Sequence, residues 1–291
     1  MAFGTIKKVS TTCLKFPPDR ICNILGLMTD NEIYHIAVMP STETSAGLLS
    51  QVAAIVAQPD YQIRLQLAGK VPKIVGHFRE KSAAERAVLS LDELGLVAFA
   101  VTESELRRPV SPEIIPRSIK FEGDSATFAS QDGKTVILNA GDIFLIVTGR
   151  RTTVIEEAVV EKSTMKVNVP ATLLTGGIPV MKRVTLKRPE SEKTTQQFVR
   201  LYRKTSDFPA IEARQFALDY SFLGDKMDPT ATCNIAETVA ELRRFFMGAY
   251  FNDSLVNGFV AETNRITGIN IGEQSCLLLV RYYQTMANEA V

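Results

Sequence analysis

Few side chains in this sequence suit acid–base or nucleophilic chemistry, and they can be taken almost one by one. The chain has two histidines, His35 in IYHIAV and His77 in IVGHF. A Ser–His or Cys–His pair would have to use one of them, because a hydroxyl or thiol needs an adjacent base to become a nucleophile. Both histidines stand in β-branched runs that suit strands of a single sheet, which makes them candidate neighbours. Two packed strand histidines sharing one hydrogen bond explain the pattern more simply than catalysis. No GxSxG elbow occurs. Carboxylates recur at Glu156–Glu157, at Glu190 and Glu192, and at Asp225 and Asp228, each beside lysine or arginine or in a turn. General acid–base work needs a carboxylate held in a cleft, and spacing alone does not supply one. Catalytic residues therefore stay unassigned, and the sequence argues against an enzyme more than for one. The enzyme alternative places its site between two domains, near His35 and His77.

Metal and cofactor chemistry fares no better. Cys13, Cys22, Cys233 and Cys276 are scattered without a CxxC pair, and two histidines cannot complete a zinc set of the usual spacing. All four read as reduced, mostly buried thiols. QDGKT, from Gln131 to Thr135, lacks the first glycine of a phosphate-binding loop and suits a hairpin turn instead. The Gly176–Gly177 pair suits a bend, and no GxGxxG occurs. Neither metal nor cofactor is expected.

Charge is more informative locally than globally. Thirty-three basic residues against 32 acidic ones give a net charge of +1, which argues against a nucleic-acid partner. From Lys182 to Lys204, however, eight basic residues face only Glu190 and Glu192. Lysine and arginine flanking a strand–loop–strand segment collect anionic groups through charge and forked hydrogen bonds. Arg150, Arg151, Lys182, Arg183, Lys187, Arg188, Arg200 and Arg203 are the candidate anion- or partner-binding residues. A charged, solvated strand face is the plainer alternative, since edge lysines deter aggregation.

The elements that position these residues are legible from periodicity. VPKIVGHF and LVAFAV suit strands, and between them a helix carries Ala84, Val88, Leu91 and Leu94 and stops at Gly95. Ser82 and Glu85 have capping-box spacing. Strand, helix and strand make a βαβ unit. EIYHIAVMP suits a further strand and ETSAGLLSQVAAIVAQ a helix, whereas DYQIRLQLAG fits either, with helix favoured. Residues 1–110 thus form an α/β domain. RRPVSPEIIPR, with three prolines, marks a boundary.

Beyond it come SIKFEG, SATFAS, KTVILNA and IFLIVTGR, separated by turn signals in an antiparallel rhythm. TTVIEEAVVEK, VMKRVTLK, QFVRLYRK and AIEARQFALDY continue the run. Asp219, Tyr220, Ser221, Asp225 and Asp228 crowd before a periodic helix (Ile235, Val239, Leu242, Phe246). They read as turn and capping chemistry, with Asp228 as N-cap before Pro229. Helical stretches near Leu255–Thr263 and Gln274–Asn288 form a tail over 251–291, which either covers the core or binds a second chain.

The element order over about 117–248, many short strands and then an amphipathic helix, resembles the pleckstrin-homology-like barrel. The resemblance rests on order alone. The chain has no tryptophan for the position that often carries one, and the interruption between Lys162 and Ile178 departs from the pattern. It implies an antiparallel barrel closed by a helix, and a module that binds phospholipid headgroups or protein segments.

The overall expectation is an α+β protein acting as a non-catalytic binding, adaptor or scaffold protein, or as a structural subunit of a larger assembly. A protein partner or homo-oligomer, or a peripheral anionic lipid, would be bound through residues 182–204. The opening residues lack a long apolar run and CLLLV is too short to span a bilayer, so a cytoplasmic location is expected.

Overall fold

Alternating apolar positions build the first sheet from β1 (Tyr34–Val38), β2 (Lys73–Phe78) and β3 (Ala98–Thr102), in the order β2-β1-β3. The structure is a computed structural model that describes residues 32–40, 45–156, 160–167, 181–188, 191–256 and 271–289. β1 runs antiparallel to both neighbours, so β2 and β3 are parallel with β1 between them. The expected βαβ unit is therefore present in split form, with β1 inserted into it. Helices α1 (Ala46–Val56), α2 (Asp60–Gln66) and α3 (Lys81–Glu93) supply Val52, Val56, Ile63, Ala84 and Leu91 to one sheet face, against Ile36, Val38 and Val75. The ambiguous segment from Asp60 is a helix, and Gly95 past α3 has the left-handed φ of 78° expected of a helix stop.

The capping box lies elsewhere than its spacing suggested. α3 begins at Lys81, so Ser82 is inside it, and Glu80 at the N-cap makes no side-chain capping bond. A complete box forms on α4 (Glu103–Arg107) between Thr102 and Glu105.

The rest of the chain is mostly β. A meander of β4 (Ser118–Glu122), β5 (Ser125–Ala129) and β6 (Thr135–Asn139) forms one sheet. β7 (Leu145–Glu156), β10 (Ser191–Tyr202), β11 (Pro209–Arg214) and β12 (Tyr250–Leu255) form another, in the order β11-β10-β7-β12. β8 (Val160–Val167) and β9 (Met181–Arg188) pair antiparallel as a separate two-stranded ribbon. The first two of these sheets share a core of Ile119, Phe128, Leu138, Ile146, Leu201 and Ile211, capped by Ile235, Leu242 and Phe246 at helix α5 (Ala231–Phe245).

This is a mixed α+β fold with antiparallel sheets, but the β part is not a closed barrel. β7 has β10 on one edge and β12 on the other, so β6 has no edge of β7 to pair with, and β4-β5-β6 remains a separate sheet. β12 also replaces the start of the helix expected near Leu255; residues 257–270 lie outside the described residues. Gly149 makes the β7–β12 pairing possible, because a Cβ there would lie 2.6 Å from the Phe198 ring and 3.0 Å from Leu255.

The strand read through Tyr220 ends at Arg214 and is followed by a turn and a 3₁₀ segment, Tyr220–Lys226. Glycine at 224 supplies the positive φ of 55° inside that segment. Thr230, not Asp228, caps α5 by accepting from the Cys233 amide at 3.3 Å. Asp228 instead takes the Thr230 amide, and buried Asn234 bonds the Asp228 backbone on both sides, at 2.6 and 2.7 Å.

The last helix, α6 (Ile271–Glu289), covers core. Leu277 and Leu278 pack on Ala37, Phe99 and Val101 of the first sheet. Cys276, Leu279 and Val280 pack on Leu145, Val147, Phe198 and Tyr202. Six α-helices and one 3₁₀ segment are thus present among the described residues, and none of them is long and apolar enough to cross a membrane.

Candidate functional site

The eight basic residues singled out by sequence separate into four places. Lys182, Arg183, Lys187 and Arg188 stand on β9 in the ribbon. Arg150 and Arg151 stand on β7, opposite Gln197 and Gln196; Arg150 is exposed and Arg151 is half-buried, 3.9 Å from Glu212. Arg200 lies on β10, nine residues past Ser191, which is roughly 30 Å of extended strand. Arg203 follows β10 and pairs with Glu113 at 2.6 Å.

Arg200 is an interior residue, 2% exposed, and does not reach a surface ligand. Its Nε donates to Glu212 at 2.7 Å, Nη2 donates to Glu273 at 2.7 Å, and Nη1 also donates to Glu273. Glu212 is equally buried and takes a further bond from Arg214 at 2.6 Å. Burial pushes the Glu212 carboxyl up, but Arg200 and Arg214 outweigh it and hold the group below the usual range. Burial pushes the neighbouring Cys276 thiol up to about 11, which makes it an inert packing group. The cluster joins β10, β11 and α6. Further along α6, Arg281 pairs with Glu105 of α4 and, at 2.9 Å, with Asp207. These contacts are structural, and hydrophobic periodicity carried no sign of them.

The ribbon shows what register adds to sequence. The cross-strand pairs Val160–Arg188, Lys162–Leu186, Thr164–Val184 and Lys166–Lys182 share one face. That face carries Lys162, Lys166, Lys182 and Arg188 with no acidic residue. The other face holds Glu161–Lys187, Ser163–Thr185, Met165–Arg183 and Val167–Met181. Met165 is 67% exposed and Met181 57%. Lys162 and Lys166 escaped the sequence reading, although their four-residue spacing is the period-2 signal of a shared strand face. The Gly176–Gly177 bend and the thiols Cys13 and Cys22 lie outside the described residues. Of the other two thiols, Cys276 is buried and Cys233 exposed.

The histidines are neighbours, as their strand contexts suggested. His35 and His77 are direct cross-strand partners in β1 and β2, with Nδ1 to Nδ1 at 2.7 Å. Their rings meet edge to face, 4.9 Å between centroids. His35 is buried, His77 is exposed, and the far nitrogen of His35 lies 2.6 Å from Glu103 at the start of α4. Glu103 also accepts from Arg107 one turn on. Burial, then the adjacent His35, hold His77 below the ordinary imidazole range. Burial raises Glu103, but its bonds from Arg107 and His35 leave it below the usual carboxylate value.

No group of three or more His, Cys, Asp or Glu side chains suited to a metal occurs among the described residues. Comparison with known proteins adds no relative: no family model matches the chain, nor does any curated protein or solved structure at a significant level.

Proposed function

We propose that this is a binding protein that docks peripherally on anionic lipid surfaces through the β8–β9 ribbon. The observation that carries the reading is the pairing of Lys166 directly opposite Lys182, on a face that also holds Lys162 and Arg188. Like charges directly opposite in a ladder are unfavourable. A two-stranded ribbon standing alone is itself marginal in water. An anionic surface relieves both costs at once.

The exposed methionines favour a bilayer over a nucleic-acid backbone or a free anion. Met165 and Met181 lie at the same end of the ribbon as Lys166 and Lys182 but on its opposite face, with Arg183, so that both faces of this end suit a bilayer entered end-on. Apolar side chains beside cations suit the boundary between headgroups and acyl chains. Each lysine or arginine near such a surface contributes about 1 kcal/mol, so the four-residue face supplies about 4 kcal/mol, roughly a thousandfold in affinity.

The body behind the ribbon is two packed sheets with α5 at one end, which keeps the two-sheet-and-helix plan of the pleckstrin-homology-like resemblance without its closure. The divisions 1–110 and 117–250 serve in this reading as the α/β and β-rich parts, with α6 of the 251–291 segment holding them together. A cytoplasmic location fits docking from one side of the bilayer.

Cosedimentation with vesicles across a salt series tests the proposal. Binding to phosphatidylserine vesicles should fall steeply with salt, be absent on phosphatidylcholine, and weaken at least tenfold in Lys166→Glu/Lys182→Glu. Arg183→Glu/Arg188→Glu should weaken it similarly. Unchanged binding in both variants would reject the lipid reading. Salt-sensitive binding to an acidic protein or to a second copy of the chain, without vesicle binding, would replace it with a protein partner.

A further inference from the structure

Glu103, His35 and His77 form a hydrogen-bonded chain that starts beside a helix and ends in solvent. We propose that this chain is a proton relay that makes His77 Nε2 a nucleophile toward activated acyl compounds reaching the protein surface. Nothing in the ribbon reading depends on it.

The proton positions follow from the partners. Glu103 accepts from Arg107 and is ionised, so the His35 nitrogen 2.6 Å away, Nε2, must carry the proton. Neutral His35 then offers Nδ1 as an acceptor. His77 Nδ1, at 2.7 Å, must donate to it, which leaves the His77 Nε2 lone pair free. One carboxylate thereby sets both tautomers, and the nitrogen left basic belongs to the exposed ring. Burial and the adjacent His35 keep that ring unprotonated at neutral pH, the form a nucleophile requires.

The step balances with the atoms present. His77 Nε2 attacks the acyl carbon, the N–C bond forms, and the C–O bond to the leaving alcohol or phenol breaks. The positive charge this would leave on His77 disappears as its Nδ1 proton crosses to His35 Nδ1. The imidazolium so formed is held by Glu103 on its other side. Water then attacks the acyl-imidazole, and its hydroxyl leaves with the acyl group as the carboxylic acid. Its second proton passes to the alkoxide or phenolate released in the first step, and the proton on His35 returns to His77 Nδ1. His77 is the catalytic residue, since it touches the substrate; His35 and Glu103 are positioning residues. Three elements face the pair among the described residues. β3 contributes Val101 opposite His35, α4 contributes Glu103 with Arg107 behind it, and Tyr282 of α6 packs on the same sheet face.

Because the chain has two histidines, every imidazole signal is assignable. The probe is p-nitrophenyl acetate with the full chain at pH 7, following p-nitrophenolate release and acetylation by mass spectrometry. Acetylation should fall on His77, at a rate on the order of tenfold or more above free imidazole. Glu103→Gln should return the rate to that of imidazole and shift its pH profile, and His77→Gln should abolish it. Equal rates and pH profiles in wild type and Glu103→Gln would overturn the relay. If Glu103→Gln does not fold, long-range ¹H–¹⁵N spectra of the wild type decide. The proton should lie on Nε2 of His35 and on Nδ1 of His77; the reverse tautomer at His77 would overturn it.

Discussion

Replacing Arg200 with methionine removes a cation that ties β10 and β11 to the first turn of α6. Three bonds of 2.6–2.7 Å are lost: Nε and Nη2 to Glu212, and Nη2 to Glu273, together with the Nη1–Glu273 contact. Methionine fills much of the vacated volume, so the cost is chiefly that of stranded carboxylates. Glu212 is 1% exposed and Glu273 20%, so the two respond differently. Breaking a buried pair from one side costs about 3–5 kcal/mol. Here Arg214 still bonds Glu212 at 2.6 Å and Glu273 can reach water, which places the expectation near the lower end, about 3 kcal/mol. At 2–4 °C per kcal/mol for a chain of this size, the midpoint should fall by roughly 6–12 °C. Urea unfolding followed by circular dichroism measures the loss, and Arg200→Met/Glu212→Gln should recover part of it by removing the stranded charge. A double-mutant cycle with Glu273→Gln should show coupling, because the two residues share bonds. A loss below about 0.5 kcal/mol, the level of an ordinary surface change, would refute the reasoning.

Gly149→Ala should cost about 1–3 kcal/mol in the same assay, because its Cβ would press into Phe198 and Leu255 where β12 joins β7. Thr102→Ala should cost about 1 kcal/mol by removing the capping box of α4. Histidine linkage gives a pH test. His77 has a folded pKa below its unfolded value, so its contribution is fully present above the ordinary imidazole range and is lost as pH falls through the lower folded value. The urea midpoint of the wild type should therefore decline on acidification below about pH 6.5, and His77→Gln should flatten that decline. Glu212 follows the same sign at lower pH. Its stabilisation is present above the ordinary carboxylate range and disappears as pH falls through its depressed value, which should steepen acid unfolding.

What sequence revealed and what it withheld divide along a physical line. Local periodicity and turn residues announced β1 to β6, α1, α3 and the body of α5, because each is set by neighbours a few residues away. Pairing partners were hidden, and the consequences are specific. β1 lies inside the split βαβ unit, and β12 takes the edge of β7 that a barrel would have used. The capping signal at Ser82 and Glu85 went unused while Thr102 and Glu105 formed the box, since a box works only where the backbone enters a helix. Arg200 looked like its basic neighbours, and only the proximity of Glu212 and Glu273, distant in sequence, makes it an interior residue. His35 and His77 were legible as sheet neighbours, but Glu103 was not, because its role depends on where α4 starts. Lys162 and Lys166 joined the basic face only once the β8–β9 register was known.

The absence of tryptophan from the chain makes the ribbon directly testable. Met181→Trp places a single fluorophore at the exposed ribbon position beside Lys182. Adding phosphatidylserine vesicles at low salt should shift its emission to the blue, and high salt or Lys166→Glu/Lys182→Glu should reverse the shift. An emission maximum that stays where it is in water, at saturating vesicle concentration and low salt, would contradict the proposal that this ribbon meets the membrane.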